Sequence, residues 1–190
     1  MKYLYSILFI SMCLLQWAMP LNMILEQETV LEEGTYYKFK TAPIDPSDPF
    51  RGKYITLRFN GESVKVGHYD EWVNVTNAYA ILGQDSVGFA KVTALLKEPP
   101  STGDYLLVEV NYVNNSSIPS VKFSYPFKRF YLEESKASEA EKIYWEAQRD
   151  SAHVAYALVK VRNGKASLED VRINDKSIVD IVREINNNNQ

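Results

Sequence analysis

The residues from Pro43 to Phe59, Pro-Ile-Asp-Pro-Ser-Asp-Pro-Phe-Arg-Gly-Lys-Tyr-Ile-Thr-Leu-Arg-Phe, decide how the rest of the chain is read. The stretch opens on two Asp-Pro pairs, Asp45-Pro46 and Asp48-Pro49. Each proline fixes its own φ near −65° and pushes the preceding residue toward extended geometry, so this is a stiff, non-helical loop. Arg51-Gly52 then gives way to strict alternation, with Ile55, Leu57 and Phe59 on one face and Tyr54, Thr56 and Arg58 on the other. A period of two is the signature of a strand with one buried face.

Loop and strand together resemble the GDYXXLXY family, membrane-anchored proteins of uncharacterised function whose Gly-Asp-Tyr-x-x-Leu-x-Tyr strand follows a Pro-x-Asp-Pro-x-x-x-x-Arg loop. In this sequence Gly52, Tyr54 and Leu57 match that strand, while Lys53 stands in place of the acid and Phe59 in place of the last tyrosine. Tyr131-Leu-Glu-Glu134 with Glu141, and Val159-Lys-Val-Arg-Asn-Gly-Lys-Ala166, resemble later elements of the same family. The segment from Asn60 to Pro100 carries least of the resemblance. The likeness implies a retained N-terminal span at the inner or cytoplasmic membrane. It also implies a single-pass topology with a periplasmic or extracellular C-terminal domain, and a multi-spanning membrane protein as partner.

The N-terminus supports an anchor independently. Lys2 precedes an apolar run from Tyr3 to Met19 that is interrupted only by Ser6, Ser11 and Gln16 and is extended beyond Pro20 by Leu21, Met23, Ile24 and Leu25. About 20 apolar residues span a bilayer. A cleaved signal peptide is the alternative, but Trp17-Ala-Met-Pro20 is a poor small-x-small site. A lipoprotein reading of Cys13 lacks the small residue that should precede it, and the apolar run continues past the cysteine. Lys2 before the span and Glu26, Glu28, Glu32 and Glu33 after it place the body outside by the positive-inside rule. Gln27 to Gly34 reads as a helical continuation that lifts the domain off the membrane and ends at the glycine.

These boundaries give an anchor over 1–25, a juxtamembrane segment over 26–34, one domain over 35–185 and a polar tail over 186–190. Thirteen tyrosines, eight phenylalanines and three tryptophans favour strands. Strands are expected at Tyr36–Lys40, Gly52–Phe59, Trp72–Val75, Ala78–Leu82, Phe89–Leu95, Tyr105–Tyr112 and Val121–Tyr125. Asn163-Gly164 should turn a hairpin between Val154–Val161 and Ala166–Ile173, since Asn-Gly tolerates the positive φ of a type I′ turn. Ser138-Glu-Ala-Glu141 has the form of a capping box, followed by Ala140, Ile143, Tyr144 and Ala147 at helical spacing. Ile178, Ile181, Val182 and Ile185 repeat the helical spacing near the end. The fold class expected is α+β, mainly antiparallel β of barrel-like or sandwich form with one packed helix, behind a transmembrane helix.

Chemistry is thinly signposted. A net charge of −3 and a pI near 5.5 argue against nucleic acid as a partner. Cys13 is the single cysteine, so no disulfide or cysteine zinc site can form within one chain. His68 and His153 have no metal-ligand spacing, no phosphate-binding glycine motif follows a strand, and no cofactor is called for. Ser47 with Lys53 is a weak serine–lysine pair, and Ser63 with Lys65 reads as a polar turn. Convergence of Asp45, Asp48 and Glu134 would make a cation site or a carboxylate- or metal-dependent hydrolase, but turn capping and an ion pair to Arg51 explain the aspartates better. The reading that best fits the residues is a non-enzymatic tethered module. Its contact surface runs from Asp45 to Tyr54, with Asp48, Arg51 and Glu134 as further candidates and exposed tyrosine as the anchor.

Overall fold

The structure is a computed structural model and describes residues 2–42, 54–149 and 153–188. Its first element, α1 (Lys2–Glu33), is a single helix with Pro20 inside it. The portion Ile7–Glu33 is long and apolar enough to cross a membrane, with mean hydropathy 1.7; a signal sequence near an N-terminus has the same profile. Its apolar side chains stand exposed along the span, from Tyr3 to Leu25. Gly34 ends the helix, its N–H donating to the Val30 carbonyl at 3.0 Å.

From there β1 (Thr35–Ala42) runs straight off the helix. It pairs over six positions, Thr35↔Val161 to Lys40↔Tyr156, with β10 (Ala155–Arg162), which pairs in turn with β11 (Lys165–Ile173). Asn163 and Gly164 form the expected turn with φ of 49° and 81°. The close of the sheet is β12 (Lys176–Ser177) on one edge and β3 (Arg58–Phe59) on the other, in the order β12-β11-β10-β1-β3. A second five-stranded sheet has the order β4-β8-β7-β5-β6, from β4 (Ser63–Lys65), β5 (Asn77–Gln84), β6 (Ala90–Leu96), β7 (Tyr105–Asn114) and β8 (Ser120–Ser124). Isolated bridges Lys38↔Phe89 and Leu106↔Gly164 join the two, and a two-stranded ribbon of β2 (Tyr54–Thr56) and β9 (Arg129–Tyr131) fills the remaining gap. The body is therefore a nearly closed, antiparallel barrel-like sheet.

The alternation read from the sequence holds: Ile55, Leu57 and Phe59 are buried, and Thr56 and Arg58 exposed. The expected single strand Gly52–Phe59 is nevertheless two. At Leu57 the chain changes partner: Tyr54–Thr56 pairs with β9, the Leu57 N–H donates to the Lys128 carbonyl at 2.8 Å, and Arg58–Phe59 pairs with β1. Trp72–Val75 is a turn rather than a strand. Trp72 sinks into the core, and its N–H and that of Val75 close local bonds to Tyr69 and Trp72. Ser63–Lys65, expected as a turn, is a strand because Val64 opposite Val121 gives it a place on the sheet.

Two helices pack on the sheets, one more than expected in the fold class. α2 (Glu134–Arg149) begins four residues before the expected cap at Ser138, because Ala137 is already buried in its first turn with Ala140 and Tyr144 behind it. Glu141 thus lies well inside the helix rather than in its first turn. α3 (Ile178–Asn188) buries Ile178 and Val182 and remains helical through residues assigned to a polar tail.

The last turns of α1, expected to lift the domain clear, instead lie against it. Val30 is buried, Glu33 meets Arg162 at 2.6 Å, Glu26 pairs with Lys165, and the Lys160 ammonium donates to the Leu31 carbonyl while lying over the Tyr36 ring. The tip of the β10–β11 hairpin is thereby fastened along the side of α1. A Cβ on Gly164 would fall 2.8 Å from the Tyr105 ring in a left-handed backbone. Gly164→Ala is expected to cost about 1–3 kcal/mol, read as a lower urea midpoint of the full-length protein in detergent.

Candidate functional site

Of the residues expected to form the contact surface, Asp45, Asp48 and Arg51, with Ser47 and Lys53, lie outside the described residues. Glu134 is the first residue of α2. Tyr54 is the residue at which the chain re-enters the described structure, and it opens β2 directly opposite Tyr131. The two rings meet edge to face with centroids 5.6 Å apart, and the Arg129 guanidinium lies 4.8 Å from the Tyr54 ring centroid. Such a cation over a ring contributes roughly 0.5–1 kcal/mol at an exposed site. Their neighbours Ile55 and Phe130 point inward and are buried, which by strand periodicity forces Tyr54, Tyr131 and Arg129 outward. Tyr131 remains 65% exposed.

Beside this cluster lies a groove of about 430 Å³ lined by Glu109, Tyr125, Pro126, Phe127, Lys128, Arg129 and Tyr131. Its floor is aromatic and its rim carries two cations. Register places it at the end of the domain remote from α1. Thr41 and Ala42, at the far end of β1, pair antiparallel with Phe59 and Arg58, so β2, which precedes Arg58 in the chain, lies past Ala42. Seven residue steps of roughly 3.3 Å put Ala42 about 23 Å along the strand from its start beside the helix.

The remaining aromatics separate as their strand positions dictate. Tyr125, Phe127 and Phe130 are core, whereas Tyr112 is 58% exposed over a second groove that Asn74, Val75 and Thr76 also line. His68 and His153 sit on exposed segments far apart in sequence. Among the described residues no group of three or more His, Cys, Asp or Glu could hold a metal ion. Glu133 takes the partner nearest to it, meeting Lys136 at 2.7 Å, and this hydrogen bond holds its carboxyl below the ordinary glutamate range.

One residue of electrostatic interest escaped the sequence reading. Glu62 follows the Asn60-Gly61 turn and is half-buried, its carboxyl pushed above the ordinary value of 4.5 by desolvation, against the opposing pull of Lys128 and Arg58. It faces Tyr125, whose hydroxyl burial, and secondarily the charge of Glu62, push upward. Nothing in a turn dipeptide followed by an acid signals burial, since the covering residues arrive from beyond β8. The consequence for stability has a definite sign. A carboxyl raised in the folded state binds more protons folded than unfolded, so its ionisation costs stability as pH rises past 4.5. Glu62→Gln is expected to raise the thermal midpoint at pH 7, with the gain vanishing as the pH is lowered below 4.5; a gain independent of pH would contradict this.

A family model described as GDYXXLXY protein matches residues 16–171, most of the chain. No curated protein and no solved structure matches it.

Proposed function

The chain belongs to the GDYXXLXY family, and from that membership we propose that it is a membrane-tethered extracytoplasmic module that binds a membrane-protein partner and performs no chemistry of its own. The observation that carries this reading is the Tyr54–Tyr131–Arg129 cluster, in which exposed Tyr131 and Arg129 meet half-buried Tyr54 beside an aromatic groove. Tyrosine and arginine are the residue types that dominate interface hot spots.

Retention of α1 as the anchor is supported by its apolar length and by the poor cleavage site at Trp17–Pro20. Lys2 before the span and the glutamates after it support an N-terminus in the cytoplasm and a body outside the cytoplasmic membrane. The partner is a multi-spanning protein whose contact is made by an extracytoplasmic portion, because the cluster lies a full strand length from the helix end. In this reading the contact surface is the Asp45–Tyr54 segment together with Tyr131 and Arg129, which meet Tyr54.

The test is a crosslinking pulldown of the full-length protein from native membranes. Wild type is expected to recover one stoichiometric membrane partner. Tyr131→Ala with Arg129→Ala, and separately Asp45→Ala with Asp48→Ala, are expected to reduce that recovery roughly tenfold or more, with the circular dichroism of the first pair unchanged because both side chains are exposed. Equal recovery from wild type and both variants, or no enriched partner at all, refutes the reading.

A further inference from the structure

The hairpin fastening occupies only one side of α1. At about 100° per residue, Glu26, Thr29, Val30 and Glu33, which face the hairpin, centre about 110° around the helix from a second stripe. That stripe is Phe9, Cys13, Gln16, Pro20, Met23 and Gln27. Its spacing of four, three, four, three, four is that of a coiled-coil seam, and it gathers both glutamines of the helix.

The stripe contains an unmet hydrogen-bonding demand. Pro20 has no N–H, so the carbonyl of Gln16, four residues before it, has no helical donor. The Gln16 side chain adds a second carbonyl and an amide N–H₂ at the same level, near the middle of the uncharged stretch Tyr3–Leu25. In hydrocarbon every such group must find a partner within protein, and amide side chains join helices there.

We propose that α1 pairs in the membrane with α1 of a second copy of this chain, through the Phe9–Gln27 stripe. The proposal rests on the reading of α1 as a retained span. A two-fold axis along the bilayer normal brings the two Gln16 residues together. The amide N–H of each then donates to the main-chain carbonyl that Pro20 leaves open in the other. Donor and acceptor are supplied by the same residue on each copy, so the contact is self-complementary, as an isologous dimer requires. The hairpin contacts are centred about 110° around the helix from this stripe and leave its residues open.

Cys13 lies one turn from Gln16 on the same stripe and is the only thiol, which makes the native protein its own probe. Full-length protein in native membranes is oxidised with copper phenanthroline, which joins two facing thiols, and run on a non-reducing gel. Wild type is expected to give a disulfide dimer. Gln16→Leu is expected to reduce its yield about fivefold or more, since it removes the amide donor, and Pro20→Ala to reduce it as well, since alanine restores the helical donor. Leu14→Ala, on the opposite side of the helix, leaves the yield unchanged. Alkaline carbonate extraction is done on the same membranes. Full-length protein that stays in the pellet without dimer, a dimer indifferent to Gln16→Leu, or a crosslink to a different protein overturns the pairing alone. Release of a shortened chain overturns the retained anchor and the pairing with it.

Discussion

Four aromatic rings hold the three sheets to one another. Phe39 from β1, Phe59 from β3, and Tyr125 and Phe127 from the corner after β8 meet with centroids 5.0 to 6.1 Å apart, mostly edge to face. Each such pair contributes about 0.5–1.5 kcal/mol beyond the area it buries. More consequential is where the rings come from. Phe59 arrives on the strand leaving the Asp-Pro loop, and Tyr125 and Phe127 on the segment that becomes β9. Packing them against Phe39 fixes the phase of both strands of the β2–β9 ribbon. Once Phe59, Leu57 and Ile55 face inward, Tyr54 has no choice but to face out. A slip by one residue would exchange the two faces and bury Arg58 and Arg129 without partners.

A second constraint acts at the opposite end of β1. The helix leaves little freedom at Gly34, because hydrogen bonds, ion pairs and the buried Val30 tie its last turns to the hairpin. Taken singly, exposed pairs such as Glu33–Arg162 contribute little. Their placement matters more than their sum: they sit on two turns of helix and both sides of a hairpin tip, so that rotation of α1 about its own axis would break them together. The same fastening determines which stripe of the span is left open.

How far the sequence carried can be judged from individual residues. The inward set Ile55, Leu57 and Phe59 was legible because period two is a local property. The break at Leu57 was not, because it is imposed by partners that lie far along the chain, Lys128 on one side and Ala42 on the other. Asn163-Gly164 announced its turn through conformational preference alone. Trp72 misled for the converse reason: an aromatic, β-branched run suits a strand, yet one tryptophan buried in the core holds the same residues as a turn. The start of α2 was placed too late because a capping signal was weighed without knowing that Ala137 would be covered. In the candidate site, Tyr54 was found by motif, whereas Arg129 joins it only in the folded sheet. Their contact depends on the pairing Tyr54↔Tyr131, which no local pattern contains. Asp45, Asp48 and Arg51 lie outside the described residues.

The connection between the two ends is short and stiff. At the top of β1 the Thr41 hydroxyl donates to the Ala155 carbonyl at 2.9 Å and accepts from the Gln148 amide at 2.7 Å, so the strand that enters the Asp-Pro loop is pinned to both α2 and β10. From Ala155 the chain runs down β10, paired with β1 at six successive positions, to Arg162 and its contact with Glu33. Six successive antiparallel pairs and a buried row of Tyr37, Phe39, Ala157, Val159 and Val161 hold the two strands together along this length. The position of the Tyr54–Tyr131–Arg129 cluster is therefore set by the orientation of the helix. Two copies joined along the open stripe of α1, as proposed, would hold two such clusters at a fixed separation, without any contact between the domains being required.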